Sequence, residues 1–379
     1  MFSIIWLLYI ISFSTYMGLA SDDKVIEVQY QLLSDTYLIH ISIGDPFQRI
    51  FFVISLSQEF SFTNSILYVK ERSSFYSHYD IYPITINNQT VIAEEISDSF
   101  EIYKTDCIIK DFHFLLLTQK YLGFQSQLSF SYNNNRTDLN FIDALFNQKV
   151  ISRKQFSFSK VEIENKGTLY LGELQKNITE KKFKYSCEVN KKHSSWGCDI
   201  QDITIGETKI PLNEYASFSV ELSSVISTSS FFNSLYDNLF KQYIVESKCK
   251  LEENDSKFRY YYCDCDSVEE GFPTFFFSFG EMIIPIEGKE LFNKLSRYCF
   301  FNIKTYNSQQ NEWIIGLSII KKYITQFDYD KGTITFYSDK PLPNINNSQN
   351  IILLLIYVID SILCFGVIMV IIYTLKTKY

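Results

Sequence analysis

The sequence predicts an all-β body of two lobes with minor helices, and three observations support this fold class. Between residues 21 and 350, short runs of Phe, Tyr, Ile, Val and Thr alternate with clusters of Asn, Ser, Asp and Gly, as is typical of strands and turns. Helical patterns are few and short. The pattern of FVISLSQEFSF at 52–62 returns as SFSVELSSVIS at 217–227, and 379 residues are enough for two such halves.

The N-terminus has the features of a cleaved signal peptide at residues 1–20. This segment has no charged side chain and ends in Gly18-Leu19-Ala20, with small residues at the positions that cleavage favours. An uncleaved anchor helix is the alternative. Cleavage is favoured because no basic cluster follows the apolar run.

Alternation and turn residues predict the elements of the body. Three β-hairpins are expected at 26–44, 155–174 and 196–212. Three helices are expected at 138–150, 229–247 and 289–298. The two similar halves predict an N-terminal lobe at 21–175 and a C-terminal lobe at 176–340.

The C-terminus predicts a single membrane span. After a polar stalk at 341–350, the run 351–375 has one charged residue, Asp360, and is long enough to cross a bilayer core of ~30 Å. The tail, 376–379, has two lysines, which indicates the cytoplasmic side. A lipid-anchor signal would lack this basic tail, and a buried core helix is rarely so uniformly apolar. Asp360 either stays protonated or marks a partner helix.

These end segments predict a type I single-pass membrane protein of the secretory pathway, with its body extracellular or lumenal. Five sequons for N-glycosylation agree with that side of the membrane: Asn88, Asn135, Asn177, Asn254 and Asn346. The net charge of −8 argues against nucleic acid as a partner. No cofactor is predicted.

The cysteines indicate disulfides. Seven of the eight lie in the body. Cys187 and Cys198 bracket a polar turn and are expected to pair, and the isolated Cys107 is the candidate for the one left over. A zinc site is the alternative, but Cys263 and Cys265 lack the usual ligand spacing and no His is near them, so no metal is predicted.

Five segments carry a resemblance to a known family. They are YLIHISIGDPFQRIFFVI (37–54), FIDALFNQKVISRKQFSFS (141–159), GTLYLGEL (167–174), SSWGCDIQDITIG (194–206) and NEWIIGLSIIKKYITQFDYDKGTITF (311–336). Their order and spacing resemble the pepsin-like aspartic proteases over residues 36–338. The resemblance implies a bilobal acid-protease fold with a central cleft. In that family two Asp carboxylates, one from each lobe, share a proton and activate the water that attacks a peptide bond.

The resemblance also locates the two catalytic positions, and neither holds an Asp. Ser55 stands at the first, in the tripeptide Ser-Leu-Ser, and Ser219 stands at the second, in Ser-Val-Glu. Ser57 and Glu221 therefore replace the glycines of the two family motifs. A serine is no general base for water without a neighbouring base, so the sequence predicts a catalytically inactive protein.

The residues expected to line the cleft follow from the same resemblance. They are Ser57, Phe62, Tyr82, Ile86 and Glu221. The family's flap, the hairpin that covers the substrate, is expected to be lost, because its Tyr and paired Gly would fall near Ile86 to Gln89, where neither is present; Tyr82 lies close by.

Other groups could in principle supply the lost chemistry. Asp45 and Glu221 are the candidate replacement carboxylates, but both are expected to be solvated turn or rim residues. His40 is expected at a surface or hydrogen-bonded strand position, and His193 at a hairpin tip. The sequence therefore does not support a Ser/His/Asp triad.

Two more disulfides are expected in the C-terminal lobe. The resemblance implies that Cys265 pairs with Cys299, while Cys249 and Cys263 bracket a charged, turn-like segment and are expected to pair. An exchange of Cys263 and Cys265 between these pairs stays open, because the two side chains point to opposite faces if they lie in a strand.

Three classes of function remain. The first is a membrane-anchored, inactive family member that binds a peptide or protein in its cleft. The second is an active aspartic endopeptidase with displaced catalytic carboxylates. The third is a structural surface protein whose lobes and glycans serve as a coat.

Overall fold

A computed structural model describes residues 25–33, 36–86, 89–118, 125–132, 136–161, 165–253, 257–268, 271–307 and 312–342. The chain divides into a unit of residues 1–340, which holds nearly all of these, and a second unit of residues 341–379. Several predictions lie outside the described residues: the signal peptide, the span 351–375 with Asp360, the tail, and the sequons at Asn88, Asn135, Asn254 and Asn346. No helix within the described ranges is long and apolar enough to cross a membrane.

Strands dominate the regular structure. In chain order they are β1 (Ile26–Leu33), β2 (Thr36–Ile43), β3 (Gln48–Ser55), β4 (Phe62–Asn64), β5 (Ser77–Ile86), β6 (Gln89–Ile102), β7 (Ile108–Leu117), β8 (Gln127–Ser129), β9 (Gln155–Phe158), β10 (Lys166–Leu171), β11 (Phe183–Glu188), β12 (Gly197–Ile205), β13 (Thr208–Phe218), β14 (Val225–Ile226), β15 (Cys249–Glu252), β16 (Phe258–Asp264), β17 (Phe275–Phe279), β18 (Met282–Ile286), β19 (Phe292–Leu295), β20 (Tyr298–Phe301), β21 (Ile303–Tyr306), β22 (Trp313–Ile315), β23 (Ile324–Asp328) and β24 (Thr333–Ser338).

The helices are short. They are α1 (Phe141–Asn147), α2 (Lys176–Thr179), α3 (Ser229–Leu235), α4 (Lys241–Val245) and α5 (Leu317–Ile320), and a π-helical turn at Tyr236–Phe240 joins α3 to α4. Single 3-10 turns lie at Lys70–Arg72, Thr137–Leu139, Cys265–Ser267 and Gly288–Leu291. Two of the three predicted helices are therefore present, as α1 and as the segment from α3 to α4.

The described strands form two sheets. The first has 13 strands in the order β11-β24-β23-β9-β10-β1-β2-β3-β8-β4-β7-β6-β5. The second has 11, in the order β18-β17-β12-β13-β22-β14-β21-β16-β20-β19, with β15 paired to β16. The predicted hairpins are present as the antiparallel pairs β1–β2, β9–β10 and β12–β13. The mostly β architecture is therefore confirmed, and the two sheets are consistent with two lobes. Strands β11, β23 and β24 come from the second half of the chain yet belong to the first sheet.

The two halves repeat the same unusual strand arrangement. In the first sheet β3 runs parallel to β8, β8 pairs antiparallel with β4, and β4 runs parallel to β7. In the second sheet β13, β22, β14 and β21 have the same three relations in the same order. The internal repeat that the sequence suggested is thus a repeat of topology.

The register of these ladders fixes which residues of the two halves correspond. The matching positions are Val53 and Ser217, Gln127 and Ile314, and Phe62 and Ile226. The chain from Val53 to Phe62 is as long as the chain from Ser217 to Ile226. Ser55 therefore corresponds to Ser219, without any appeal to a family alignment.

One predicted helix is wrong. The segment 289–298 contains a 3-10 turn followed by β19, which pairs antiparallel with β20. Phe292 on β19 packs against Phe301 on β20 and against Phe272, with ring centroids 5.3 Å and 4.8 Å apart. Cross-strand aromatic contacts of this kind favour a strand over the local helical pattern.

Three disulfides join Cys187 to Cys198, Cys249 to Cys263 and Cys265 to Cys299. These are the pairs expected from the sequence, and the exchange of Cys263 with Cys265 does not occur. The strand register alone does not decide between the two pairings, because Cys263 on β16 lies opposite both Cys249 on β15 and Cys299 on β20. Cys107 is buried and belongs to none of these bridges.

Candidate functional site

Two corresponding loops form the candidate site. The first loop, residues 55–61, follows β3, and the second loop, residues 219–224, follows β13. The carbonyl of Ser55 accepts a hydrogen bond from the Phe130 amide at 2.8 Å, and the Ser219 amide donates to the Ile315 carbonyl at 2.9 Å. Each loop therefore begins at the end of a strand that belongs to a parallel pair, β3 with β8 in the first sheet and β13 with β22 in the second.

A buried aromatic group supports the first loop from behind. The carbonyl of Phe130 accepts hydrogen bonds from the Trp196 indole at 2.7 Å and from the Tyr329 hydroxyl at 2.9 Å. Trp196 is fully buried, and its ring centroid lies 4.8 Å from that of Tyr329. Burial raises the pKa of the Tyr329 hydroxyl well above its ordinary value, so it stays a neutral donor. Trp196 and Tyr329, both from the second half of the chain, thus fix the position of Phe130, whose amide is hydrogen-bonded to the Ser55 carbonyl.

The side chain of Glu221 connects the two loops. Its Oε1 accepts a hydrogen bond from the Ser55 hydroxyl at 2.5 Å, and its Oε2 accepts one from the Gln127 amide at 3.3 Å. The Ser57 hydroxyl also hydrogen-bonds to this carboxyl group. The prediction that Glu221 is a solvated rim residue is therefore wrong: its carboxyl group lies among polar groups of the opposite half.

Both serines are held by their own loops. The amide of Gln58 donates to the Ser55 hydroxyl at 3.0 Å, and the amide of Glu221 donates to the Ser219 hydroxyl at 3.1 Å. Ser55 is 0% exposed and Ser219 is 7% exposed. These hydroxyl groups stabilise tight turns and are closed off from solvent.

Burial dominates the electrostatics of Glu221. It raises the pKa of the carboxyl group, and the hydrogen bonds from Ser55 and Ser57 oppose this rise. The causes of the shift include no charged residue. Glu221 is consequently a lone acid whose neutral form persists to a higher pH than that of an exposed glutamate.

The two loops differ in one supporting position. By register, Gly316 in the second half corresponds to Ser129 in the first. A Cβ on Gly316 would lie only 2.2 Å from the carbonyl oxygen of Ser224, so glycine is required for this close approach. Ser129 instead donates its hydroxyl to the carbonyl of Gln58 at 2.7 Å. The first loop is therefore held by the hydrogen bond from the Ser129 side chain, whereas the second loop packs directly against the backbone of Gly316.

Strands β5 and β6 form an antiparallel hairpin in the segment where the sequence predicted that the flap is lost. The hydroxyl of Tyr82 donates to Glu95 Oε2 at 2.9 Å, and Arg136 donates to Glu95 Oε1 at 2.8 Å. Burial and the neighbouring Glu95 raise the pKa of Tyr82. For Glu95, burial acts to raise the pKa, but the hydrogen bonds from Arg136 and Tyr82 outweigh it, so the pKa is lowered. Tyr82 is thus tied to the base of its own hairpin.

Phe62 and Ile86, two of the expected cleft residues, are core residues instead. Each is 1% exposed and belongs to an apolar cluster beneath the hairpin. Tyr82 is partly buried against the same cluster, whereas Ser57 is exposed. Phe62 and Ile86 are buried because both are apolar and pack within this cluster.

The other candidate groups do not join the site. Asp45 is exposed in the turn between β2 and β3, as expected. His40 contacts Phe51 with the two rings tilted and their centroids 3.6 Å apart, and His193 stacks on Tyr215 at the same centroid distance. Neither histidine is hydrogen-bonded to Ser55 or Ser219 in the described structure.

One cluster has the geometry for a metal ion. Ligand atoms of Glu95, His113 and Asp138 lie within 4.8 Å of one another. Arg136, however, forms ion pairs with Glu95 at 2.8 Å and with Asp138 at 2.7 Å. The guanidinium already supplies the positive charge that a metal would bring, so the arrangement is best described as an ion-pair network.

The chemistry open to this site is limited. The aspartic protease reaction needs two carboxyl groups of different pKa. Among the described residues, Glu221 has the only carboxyl group hydrogen-bonded to either serine. A lone carboxyl can exchange a proton and bind a donor or a cation, but it cannot form the required pair.

Sequence comparison identifies the family. A comparison with curated proteins gives no match. The family model for eukaryotic aspartyl proteases matches residues 59–338. This range begins after Ser55 and includes the second loop. The chain therefore belongs to the eukaryotic aspartyl protease family.

Proposed function

We propose that this protein is a family member without peptidase activity, and that its interlobe cleft binds an extended peptide or a segment of a protein. The observation that carries the proposal is the identity of the groups between the loops. Hydroxyl groups occupy both corresponding positions, and among the described residues the only carboxyl group hydrogen-bonded to either hydroxyl is that of Glu221, which accepts from Ser55. A fold that keeps its loops and sheets but lacks the catalytic pair is suited to binding.

Peptidase activity with displaced carboxylates is the second candidate. It is favoured by the hydrogen bond between Glu221 and Ser55, which brings one acid to the first of the two corresponding loops. It requires a second acid with a different pKa, and Ser55 itself is too deeply buried to act as a nucleophile. The inactive form is therefore the better supported of the two.

The proposal includes a membrane anchor and a lumenal or extracellular body. It depends on the apolar runs at both ends of the sequence and on the sequons. Asn177 is the one sequon within the described residues, and it is exposed in α2, where a glycan has room.

Two measurements on the expressed full chain test the proposal. A pepstatin resin retains proteins with an intact carboxylate pair, so this chain is expected to pass through it and to cleave no peptide between about pH 2 and 7. A library of extended peptides is expected to contain binders. Acid-dependent cleavage that disappears in Glu221→Gln would favour the second candidate, and the absence of any peptide binder would favour a structural coat.

A further inference from the structure

The carboxyl group of Glu221 is held by neutral groups. Its hydrogen-bond donors are the hydroxyls of Ser55 and Ser57 and the amide of Gln127. Within the described part of the chain, Glu221 takes part in no ion pair, and the causes of its pKa shift include no Lys, Arg or His. The site therefore has an acid without a counter-ion.

A buried carboxylate is costly unless it is neutralised. It can take up a proton, or it can pair with a cation that forms hydrogen bonds to it. Three neutral donors lower this cost only in part, since burial still outweighs them in the pKa of Glu221. At a pH above that pKa, a cationic partner would be stabilised here more strongly than at an exposed glutamate.

We propose that Glu221 is a subsite for a basic residue, so that the peptide bound between the lobes carries a Lys or Arg side chain at this point. The inference rests on the proposed peptide-binding function and specifies its ligand. The ammonium or guanidinium group would donate to the carboxylate oxygens, which Ser55 and Gln127 already hold in place. A carboxylate fixed in this way loses little conformational freedom on binding.

The surroundings permit such a ligand. Glu221 as a residue is partly exposed, although its carboxyl group is buried, and the neighbouring Ser57 is exposed, so a ligand can approach the carboxyl group from the side of Ser57. The first loop contains one further titratable residue, the exposed Glu59, whereas β8 and the rest of the second loop contain none. The charged residues on the two loops and β8 are thus all negative. The net charge of the whole chain is also negative, at −8. Both the local charge and the net charge favour binding of a cation.

Binding and protonation are expected to compete. A cation beside Glu221 stabilises the carboxylate and lowers its pKa, so the complex forms with release of a proton when the free site is protonated. Affinity for a basic peptide should therefore rise as the pH rises through the pKa of the free site. Affinity for a neutral peptide should not follow this course.

The test uses the purified full chain and labelled octapeptides with acetylated and amidated ends. The apolar background is constant, and one central position carries Lys, Arg, norleucine or citrulline. Fluorescence anisotropy should show that Lys and Arg peptides bind about tenfold tighter than their neutral counterparts. In Glu221→Gln the preference should shrink to within about twofold, while neutral peptides bind as before. Glu207→Gln, an exposed residue in the turn after β12, removes the same charge and should leave the preference unchanged.

Each result has a definite meaning. Equal binding of basic and neutral peptides overturns this inference and leaves the proposed function standing. A preference that persists in Glu221→Gln also overturns it. No binding of any peptide overturns both. Calorimetric titration of the wild type in two buffers of different ionisation enthalpy gives a readout that needs no variant. Binding of the Lys peptide is expected to release protons, and binding of the norleucine peptide is not. If the Lys peptide releases no protons, or if both peptides release equal numbers, the inference is contradicted.

Discussion

The most direct consequence of the site geometry is that protein stability should depend on the protonation of Glu221. The informative change is Glu221→Gln in the unliganded full chain. Glutamine has nearly the same shape, and its amide can still accept from Gln127 and contact the Ser55 hydroxyl. The substitution therefore removes the titration with little disturbance of the packing.

The sign and size of the effect follow from the pKa. Burial raises the folded-state pKa of Glu221 above the unfolded value of about 4.3. The folded protein then holds the proton more tightly than the unfolded chain does. This contribution to the free energy of unfolding is fully present below the unfolded pKa and is lost as the pH rises through the folded pKa. Between the two values it falls by about 1.4 kcal/mol per pH unit.

Urea unfolding of both proteins across this pH range measures the effect, with the disulfides kept oxidised. The unfolding free energy of wild type minus that of Glu221→Gln should decrease as pH rises. Glu207→Gln, whose carboxyl is exposed, should follow the wild type. A constant difference between wild type and Glu221→Gln, or one that grows with pH, would show that the carboxyl group is not buried between the loops.

Three further outcomes are expected. Ser55→Asp combined with Ser219→Asp should give no pepstatin-sensitive cleavage of a fluorogenic peptide, because Glu221 still occupies the space between the loops; acid-dependent turnover would contradict this. Replacing Cys265 and Cys299 by Ser should lower the free energy of urea unfolding by about 3–4 kcal/mol, since the bridge spans 34 residues; a loss near zero would mean that it does not constrain the unfolded chain. Gly316→Ala should cost about 1–3 kcal/mol, because its Cβ would lie 2.2 Å from the Ser224 carbonyl oxygen; an unchanged urea midpoint would refute that packing.

Local sequence patterns were sufficient for the architecture but not for the side chains between the loops. Alternation and turn residues predicted the hairpins. The correspondence of Ser55 and Ser219 came from the family resemblance and agrees with the strand register. The direction of Glu221 was missed because its partner Ser55 lies 166 residues away, and no local pattern encodes such a contact. Gln127 was missed for the same reason, although a polar residue beginning the short β8 was a usable signal. The burial of Phe62 depends on an apolar cluster assembled from several strands.

Ser55→Asp alone is the strictest test of how the two loops meet. The Ser55 hydroxyl oxygen lies 2.5 Å from Glu221 Oε1, so an Asp there would place two carboxyl groups side by side. Two such groups cannot both ionise at low cost, and the pair should retain one shared proton to a higher pH than Glu221 does by itself. Stability should consequently keep falling to a higher pH than in the wild type, with the same limiting slope of about 1.4 kcal/mol per pH unit. Ser55→Asn adds the same bulk without the charge and controls for overpacking. Urea unfolding of both variants between about pH 4 and 8 compares them. Parallel pH profiles for the Asp and Asn variants would show that Glu221 does not reach the first loop.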